Sequence, residues 1–383
     1  MSYPKLYRDL YENDGAGASL KETIIPASIA RTNEVLRLCI ASSPNWYRRD
    51  ALPTASRTVI TIPAGLQVNI NGSGYISQSA KTLQLATAGT AANRKGKDVY
   101  IYACVPASGT EPVFVLSLNS TVPSGYTAAN SRKIGGFHCL CADVGTISGH
   151  PLSGYVAGDI LPASAWDLLH RPVGDPEGFV YQSGKWYSIY LPSWSGSKLV
   201  SAFGATIADG ASSPSFTGED FAYYAGLQGC RLIKRDEFVV AARGSNECTN
   251  IKGSADPNTT GGHVDTAGRR MISNIGLEDC CGVIWQWSAD TFDCFNGSGV
   301  TWNSNNFYLD GYSWQSKSVL NPTIGDKTNR GSCLGLLRRA HLGAYWDDGS
   351  YCGSRSAYLC RFSSVGGSSV ACRLASEPRV VNL

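Results

Sequence analysis

The sequence predicts a β-rich, multidomain α+β protein: an N-terminal assembly region, a β-sandwich, and a C-terminal domain of short strands and loops. Three observations carry that prediction. At 383 residues the chain exceeds one ordinary domain. Its 42 Gly, 19 Tyr and 9 Trp, beside a charged fraction of only 16%, favour short strands over long helices. Apolar–polar alternation recurs between residues 57 and 148, with turn signals between the runs.

Residues 1–54 pattern weakly. Asn13-Asp14-Gly15 reads as a turn and Ile24-Ile25-Pro26 as a short strand stopped by proline, so this segment is assigned to assembly or attachment. From Arg57, TVITIPAGLQVNINGSGYIS alternates, and Asn71-Gly72 between its two runs is a hairpin signal because both turn positions need positive φ. KDVYIYACV, EPVFVLSLN and SRKIGGFHCLCADV continue the alternation, giving one antiparallel sandwich over residues 55–160. Residues 161–383 form the third unit. It opens with SAWDLLHRPVGDPEGFVY, a linker carrying Pro172 and Pro176, followed by the aromatic strand KWYSIYL at 185–191. GEDFAYYAGLQG and RDEFVVAARG have helical apolar spacing, ending at Gly229 and Gly244. Beyond Gly244 the chain is rich in Gly, Ser, Asn and aromatics, with GVIWQWS at 282–288 as a strand.

Charge narrows the partners. A net charge of +3, with no basic run longer than Arg48-Arg49 or Arg338-Arg339, gives no footprint for a polyphosphate, so nucleic acid is not an expected partner. The N-terminal MSYPKLYRDLYENDG lacks an apolar signal region, and no apolar stretch approaches the ~20 residues of a membrane span. Synthesis in a cytoplasm without a signal peptide is therefore expected, with no membrane insertion. Thirteen cysteines cannot all pair within one chain. Cys139-x-Cys141 and Cys280-Cys281 are too tightly spaced for a zinc knuckle, and the five histidines are scattered, so these thiols read as small buried hydrophobes.

A resemblance then emerges from specific stretches. CRLIKRDEFVVAARG, GVIWQWSAD, and GSRSAYLC followed by ACRL resemble a helix, a strand and the closing strands of the C-type-lectin fold as formylglycine-generating enzymes carry it. SRKIGGFH, AWDLLHRPVGDPEGF, the IYL strand, ATIADGASSP and GAYWDDGSYCGSRSAY, in that order, resemble the major tropism determinant-like family of phage receptor-binding proteins. The resemblance spans most of the chain but not its first fifty residues. It implies a homotrimer in the virion at the tail fibre, joined to other phage tail proteins through its N-terminus, with a C-type-lectin domain facing a host surface receptor, protein or glycan. It also implies a region near 343–374 diversified by a retroelement through randomised asparagine codons, which cannot yield Lys, Glu, Gln, Met or Trp. The implied variable positions are Tyr345, Asp347, Asp348, Gly349, Tyr351 and Tyr358, then Cys360, Arg361, Val365, Gly367, Ser369 and Val370, all residues such codons reach. Trp346, Gly353, Ser354, Arg355 and Arg373 fall on fixed positions.

The residues point the same way without the family. Residues 345–370 hold 3 Tyr, 7 Ser and 4 Gly but no Lys, Glu, Gln or Met, which is paratope chemistry: rigid amphipathic tyrosines among small adaptable neighbours. Trp285, Trp287 and Trp346, with Arg355 and Arg373, read as supporting scaffold. Two alternatives are weaker. A thiol and copper oxidase like the fold's enzymatic members needs closely spaced thiolates, whereas seven residues separate Cys352 from Cys360. A calcium-dependent glycan lectin needs a carboxylate–proline–amide triplet near the closing strands, and Asp256-Pro257-Asn258 lies well before them. Asp347 and Asp348 are adjacent and point apart in an extended segment, which rules out a facing acid–base pair. No catalytic residue or cofactor is assigned; a structural calcium on Glu219, Asp290 or Asp293 is left open.

Overall fold

The computed structural model describes residues 47–48, 54–293, 337–359, 361, 363 and 366–379. The turn and strand expected at residues 13–15 and 24–26 lie outside them.

The first unit contains β1 (Tyr47–Arg48), β2 (Thr54–Ala55), β3 (Val59–Ile62), β4 (Gln67–Ile70), β5 (Ser73–Ile76) and β6 (Lys81–Gln84). A short helix α1 (Ala91–Arg94) follows, then β7 (Asp98–Cys104), β8 (Val113–Ser117), β9 (Ser131–His138) and β10 (Trp166–Asp167). They form three antiparallel sheets, ordered β1-β4-β5, β2-β3-β6 and β10-β9-β7-β8. Asn71 (φ 49) and Gly72 (φ 86) make the turn between β4 and β5 with both φ angles positive, as the hairpin signal requires, and the Gly72 N–H donates to Asn69 Oδ1 at 2.9 Å. Nothing lies near a Cβ added at Gly72, so Gly72→Ala carries only backbone strain. It should cost about 1 kcal/mol in urea unfolding; a neutral result would mean that the turn relaxes to another type.

Ile60, Ile62, Val68, Val99, Ile101 and Phe137 pack between these sheets. The other face of β7 is also buried: Tyr100, Tyr102 and Cys104 share a core with Trp166, Phe179, Trp186 and Trp287. The alternation of KDVYIYACV therefore does not mark a solvent face, because the C-terminal unit covers it. This also moves the expected boundary at 160, since β10 at residues 166–167 is still a strand of the first unit's sheet. Nor is the proline-bearing stretch a free linker. Leu168 N donates to Ile134 O at 3.2 Å, and Val173 N to Glu377 O at 2.9 Å, so it is pinned at both ends.

The second unit contains β11 (Phe179–Gln182), β12 (Lys185–Ser188), β13 (Ser193–Trp194), β14 (Leu199–Val200), α2 (Gly218–Leu227), β15 (Arg231–Leu232) and α3 (Arg235–Ala241). It closes with β16 (Trp285–Asp293), β17 (Leu337–Leu342), β18 (Ala357–Tyr358), β19 (Val370–Cys372) and β20 (Leu374–Ser376). One four-stranded sheet runs β11-β12-β20-β15 and another β18-β17-β16-β19, with β16 and β19 parallel, while β13 and β14 pair in a two-stranded sheet. Both helices fall where the apolar spacing puts them. Thr217 starts α2 with a capping box: its hydroxyl accepts from Asp220 N at 3.1 Å while Asp220 Oδ2 accepts from Thr217 N at 2.9 Å. Between α3 and β16 no helix and no regular strand forms. Buried charge organises that stretch: Arg270 Nη2 donates to both oxygens of Glu278 at 2.7 Å, and Asp279 accepts from Gly261 N at 2.6 Å and pairs with His263 Nδ1 at 2.9 Å. Burial alone would raise the Asp279 carboxyl, but His263 and the Gly261 N–H outweigh it and hold the group below the usual carboxylate range.

Candidate functional site

The C-terminal loop after β17 begins at Gly343 and Ala344, both left-handed (φ 90 and 70). A Cβ at Gly343 would sit 2.2 Å from the Cys280 carbonyl, so only glycine lets the chain turn there. Beyond it, Tyr345 N donates to Asp348 Oδ2 at 2.9 Å and Asp348 N to Tyr345 O at 3.2 Å. A single 3₁₀ turn (Gly349–Tyr351) follows, ending at Cys352. Asp348 is thus spent on the loop's own backbone, while Asp347 is exposed. Burial, outweighing the Tyr345 N–H, raises the Asp348 carboxyl.

The outer edge is aromatic. Tyr351 is 79% exposed and Tyr358, on β18, is 41% exposed. Beneath Tyr358 lies a column of rings set by strand register, Trp287 opposite His341 and His341 opposite Tyr358. The His341 ring meets Trp287 edge-on at 3.9 Å and stacks under Tyr358 at 6.0 Å, with Trp285 5.9 Å from Tyr358. His341 is fully buried, and neither ring nitrogen has a hydrogen-bond partner among the described residues. Burial first, and then the charge of Arg361, push its pKa down to about 3. Sequence reading missed this residue, because β17 is buried on both faces at its end and alternation gives no warning there.

The expected site residues separate as follows. Tyr345, Asp347, Asp348, Gly349, Tyr351, Tyr358, Arg361, Gly367 and Ser369 keep some solvent exposure. Val370 does not: as the first residue of β19 it is 0% exposed and packs with Trp287 and Leu374, so no ligand reaches its side chain. Cys360 and Val365 lie outside the described residues. Among the scaffold residues Trp287 and Arg373 are fully buried, and Trp285 and Trp346 partly so. Arg355 departs from expectation. It is exposed at the tip of a turn whose inward contact is made by Ser354, the hydroxyl of which donates to Glu247 at 2.6 Å.

The rival chemistries find little support in the geometry. Burial pushes the Cys352 thiol up to about 12, so it holds no thiolate at neutral pH. Glu219 is taken by Arg339 in a two-point pair at 2.8 and 2.7 Å. Asp290 accepts from Ser288 Oγ and Arg235 N, both at 2.6 Å, and the side chain of Asp293 lies outside the described residues. Among the described residues no group of three or more His, Cys, Asp or Glu is placed to hold a metal ion. A cleft of 370 Å³ lies between the two units, lined by Asp98, Tyr100, His138, Asp175, Glu177 and Lys198 among others. His138 bridges the units at its floor, contacting Asp98 at 3.1 Å and Tyr190 at 3.0 Å.

Comparison with known proteins agrees with this architecture. Residues 50–167 match the family model described as the Mtd second domain. The chain is 28% identical over 329 residues to the tail fiber receptor-binding protein of Bordetella phage BPP-1, covering 80% of this chain and 76% of that one. The structure superposes on the Major Tropism Determinant U1 variant with a TM-score of 0.68 at 22% identity, covering 91% of this chain and 88% of that one. For the I1 variant the TM-score is 0.68 at 25% identity, with coverage of 88% and 87%. Residues 50–167 thus match the Mtd second domain, and over most of its length the chain has the fold of the Major Tropism Determinant variants.

Proposed function

We propose that this chain is a phage tail-fibre receptor-binding protein that adsorbs to a bacterial surface molecule through the aromatic face around Tyr351 and Tyr358. One observation carries the reading: two large aromatic side chains stand 79% and 41% exposed on a framework whose next layer, Trp287 and His341, is fully buried. An exposed tyrosine on a rigid base loses little entropy on binding, and its ring and hydroxyl suit both protein and glycan. Asp347 and Arg361 flank it with opposite charges. Tyr345, Gly349, Gly367 and Ser369 complete the face, whose exchangeable positions are part of the proposal. Val370 is left out of it.

The proposal includes a homotrimer placed in the virion with its N-terminal region toward the tail. Three faces per trimer, and several trimers per particle, raise avidity by about 10²–10⁴ per added link without new contacts. In the test, Tyr351→Ala with Tyr358→Ala should reduce adsorption of purified protein to host cells by roughly 10²-fold, as paired aromatic hot spots do. Light scattering should give the same trimer mass for variant and wild type. Adsorption within twofold of wild type would place the receptor contact elsewhere.

A further inference from the structure

Cys248 and Cys352 sit side by side at the base of the loop that carries Tyr345 and Tyr351. Cys248, exposed and in a left-handed conformation (φ 56), follows α3. Cys352, 2% exposed, ends the loop. The Cys248 N–H donates to the Cys352 carbonyl at 2.7 Å. With N–Cα about 1.46 Å and carbonyl O to Cα about 2.4 Å, the two Cα atoms lie within about 6.6 Å. A disulfide spans Cα separations of about 4.4–6.8 Å. The neighbouring contact holds the same two segments together, since Glu247 accepts from Ser354 Oγ at 2.6 Å and from Ser354 N at 3.2 Å. Cys248 also acts on its neighbour: after burial and Asp348, it is the third influence raising the Cys352 thiol.

We propose that Cys248 and Cys352 form a disulfide when the protein meets an oxidising medium, stapling the Tyr345–Tyr351 loop to the segment after α3. A small-molecule disulfide such as oxidised glutathione serves as the oxidant. The exposed Cys248 thiolate attacks one of its sulfurs, releasing one glutathione thiol and leaving a mixed disulfide. Cys352 then loses its proton to solvent and attacks the Cys248 sulfur, releasing the second glutathione thiol. Two protein thiols are oxidised and one small disulfide is reduced. The buried, protonated state of Cys352 makes the second step the slow one. For a chain made in a reducing cytosol and used outside the cell, which rests on the proposed function, the staple would close after release and rigidify the loop.

The experiment uses the full chain with a molar excess of oxidised glutathione, which drives both exchange steps toward the protein disulfide. Non-reducing tryptic peptide mapping then isolates the two thiols, because cleavage after Arg243, Lys252, Arg339 and Arg355 leaves Cys248 and Cys352 each alone in its peptide. The expected result is a link between peptides 244–252 and 340–355, absent in Cys248→Ser and in Cys352→Ala. Amide exchange in residues 345–351 should slow on the order of tenfold on oxidation. A stable glutathione adduct on Cys248 without the link, or a link from Cys352 to Cys281, overturns the proposal. If the link forms and exchange slows while adsorption to host cells is unchanged, the staple stands and the receptor-face reading is what fails.

Discussion

Arg373→Met should lower the free energy of unfolding by about 4 kcal/mol, measured by urea denaturation, at the upper end of what single substitutions do. Arg373 is 0% exposed between β19 and β20. Its guanidinium donates to Gln286 Oε1 at 2.8 Å, Ser188 O at 2.8 Å, Ile189 O at 2.9 Å and Glu278 O at 2.6 Å. Those acceptors belong to β16, the end of β12 and the charged stretch before β16, so one side chain ties three segments of the C-terminal unit. Methionine fills much of the volume, which keeps the cavity small. The main cost is that four buried acceptors lose the guanidinium, of which Ile189 O alone is seen to keep another donor, the Glu278 N–H at 2.9 Å; an acceptor left without a donor costs about 1–3 kcal/mol, offset in part because a buried charge is also removed. Arg373→Lys should recover less than half, since an ammonium cannot fork across four acceptors. A loss below about 1.5 kcal/mol for the methionine variant would mean that these carbonyls find donors elsewhere.

What the chain reveals in advance depends on whether the cause is local. Asn71-Gly72 is legible because the turn type itself demands positive φ, and α2 and α3 are legible because their apolar faces repeat at helical spacing. The exposed tyrosines could be anticipated from their company of glycine and serine, which leaves large rings little to pack against. The misses are all tertiary. Tyr100 and Tyr102 alternate like solvent-facing residues, yet a second unit lands on them. Arg355 and Arg373 have similar small neighbours, and only the β12, β16 and Glu278 carbonyls decide which one points inward. Val370 carries no sign that its strand lies beside β16, because a parallel pairing across 85 residues leaves no trace in local pattern. The Arg270–Glu278 pair, which replaces regular structure over some forty residues, likewise becomes visible only once both ends are buried together.

Acid should weaken this protein through His341, and the sign follows from its surroundings. An unfolded histidine takes up a proton near pH 6.5, whereas His341 in the folded protein resists protonation down to about 3. Between those values the unfolded chain binds more protons, so stability falls as pH falls, by about 1.4 kcal/mol per pH unit. His263 works the other way. Burial lowers its pKa but Asp279 more than compensates, so its net shift is upward and its contribution is present in acid and lost as pH rises. The wild-type profile mixes the two, and comparison with His341→Phe separates them. Phenylalanine keeps a ring between Trp287 and Tyr358 and removes two buried nitrogens that lack partners, so the variant should be more stable at pH 7 by about 1 kcal/mol. The gap should widen by roughly 2–3 kcal/mol by pH 4.5, read from urea midpoints. Parallel profiles for variant and wild type would show that the imidazole is reached by water through the Tyr358 face. Arg361→Ser probes the same column from outside: it removes the second cause of the depressed pKa, so the acid-sensitive window should keep its upper end and slope but close at a higher pH, with a smaller total loss. A change at a partly exposed position of the proposed receptor face would then be felt in the stability of the layer below it.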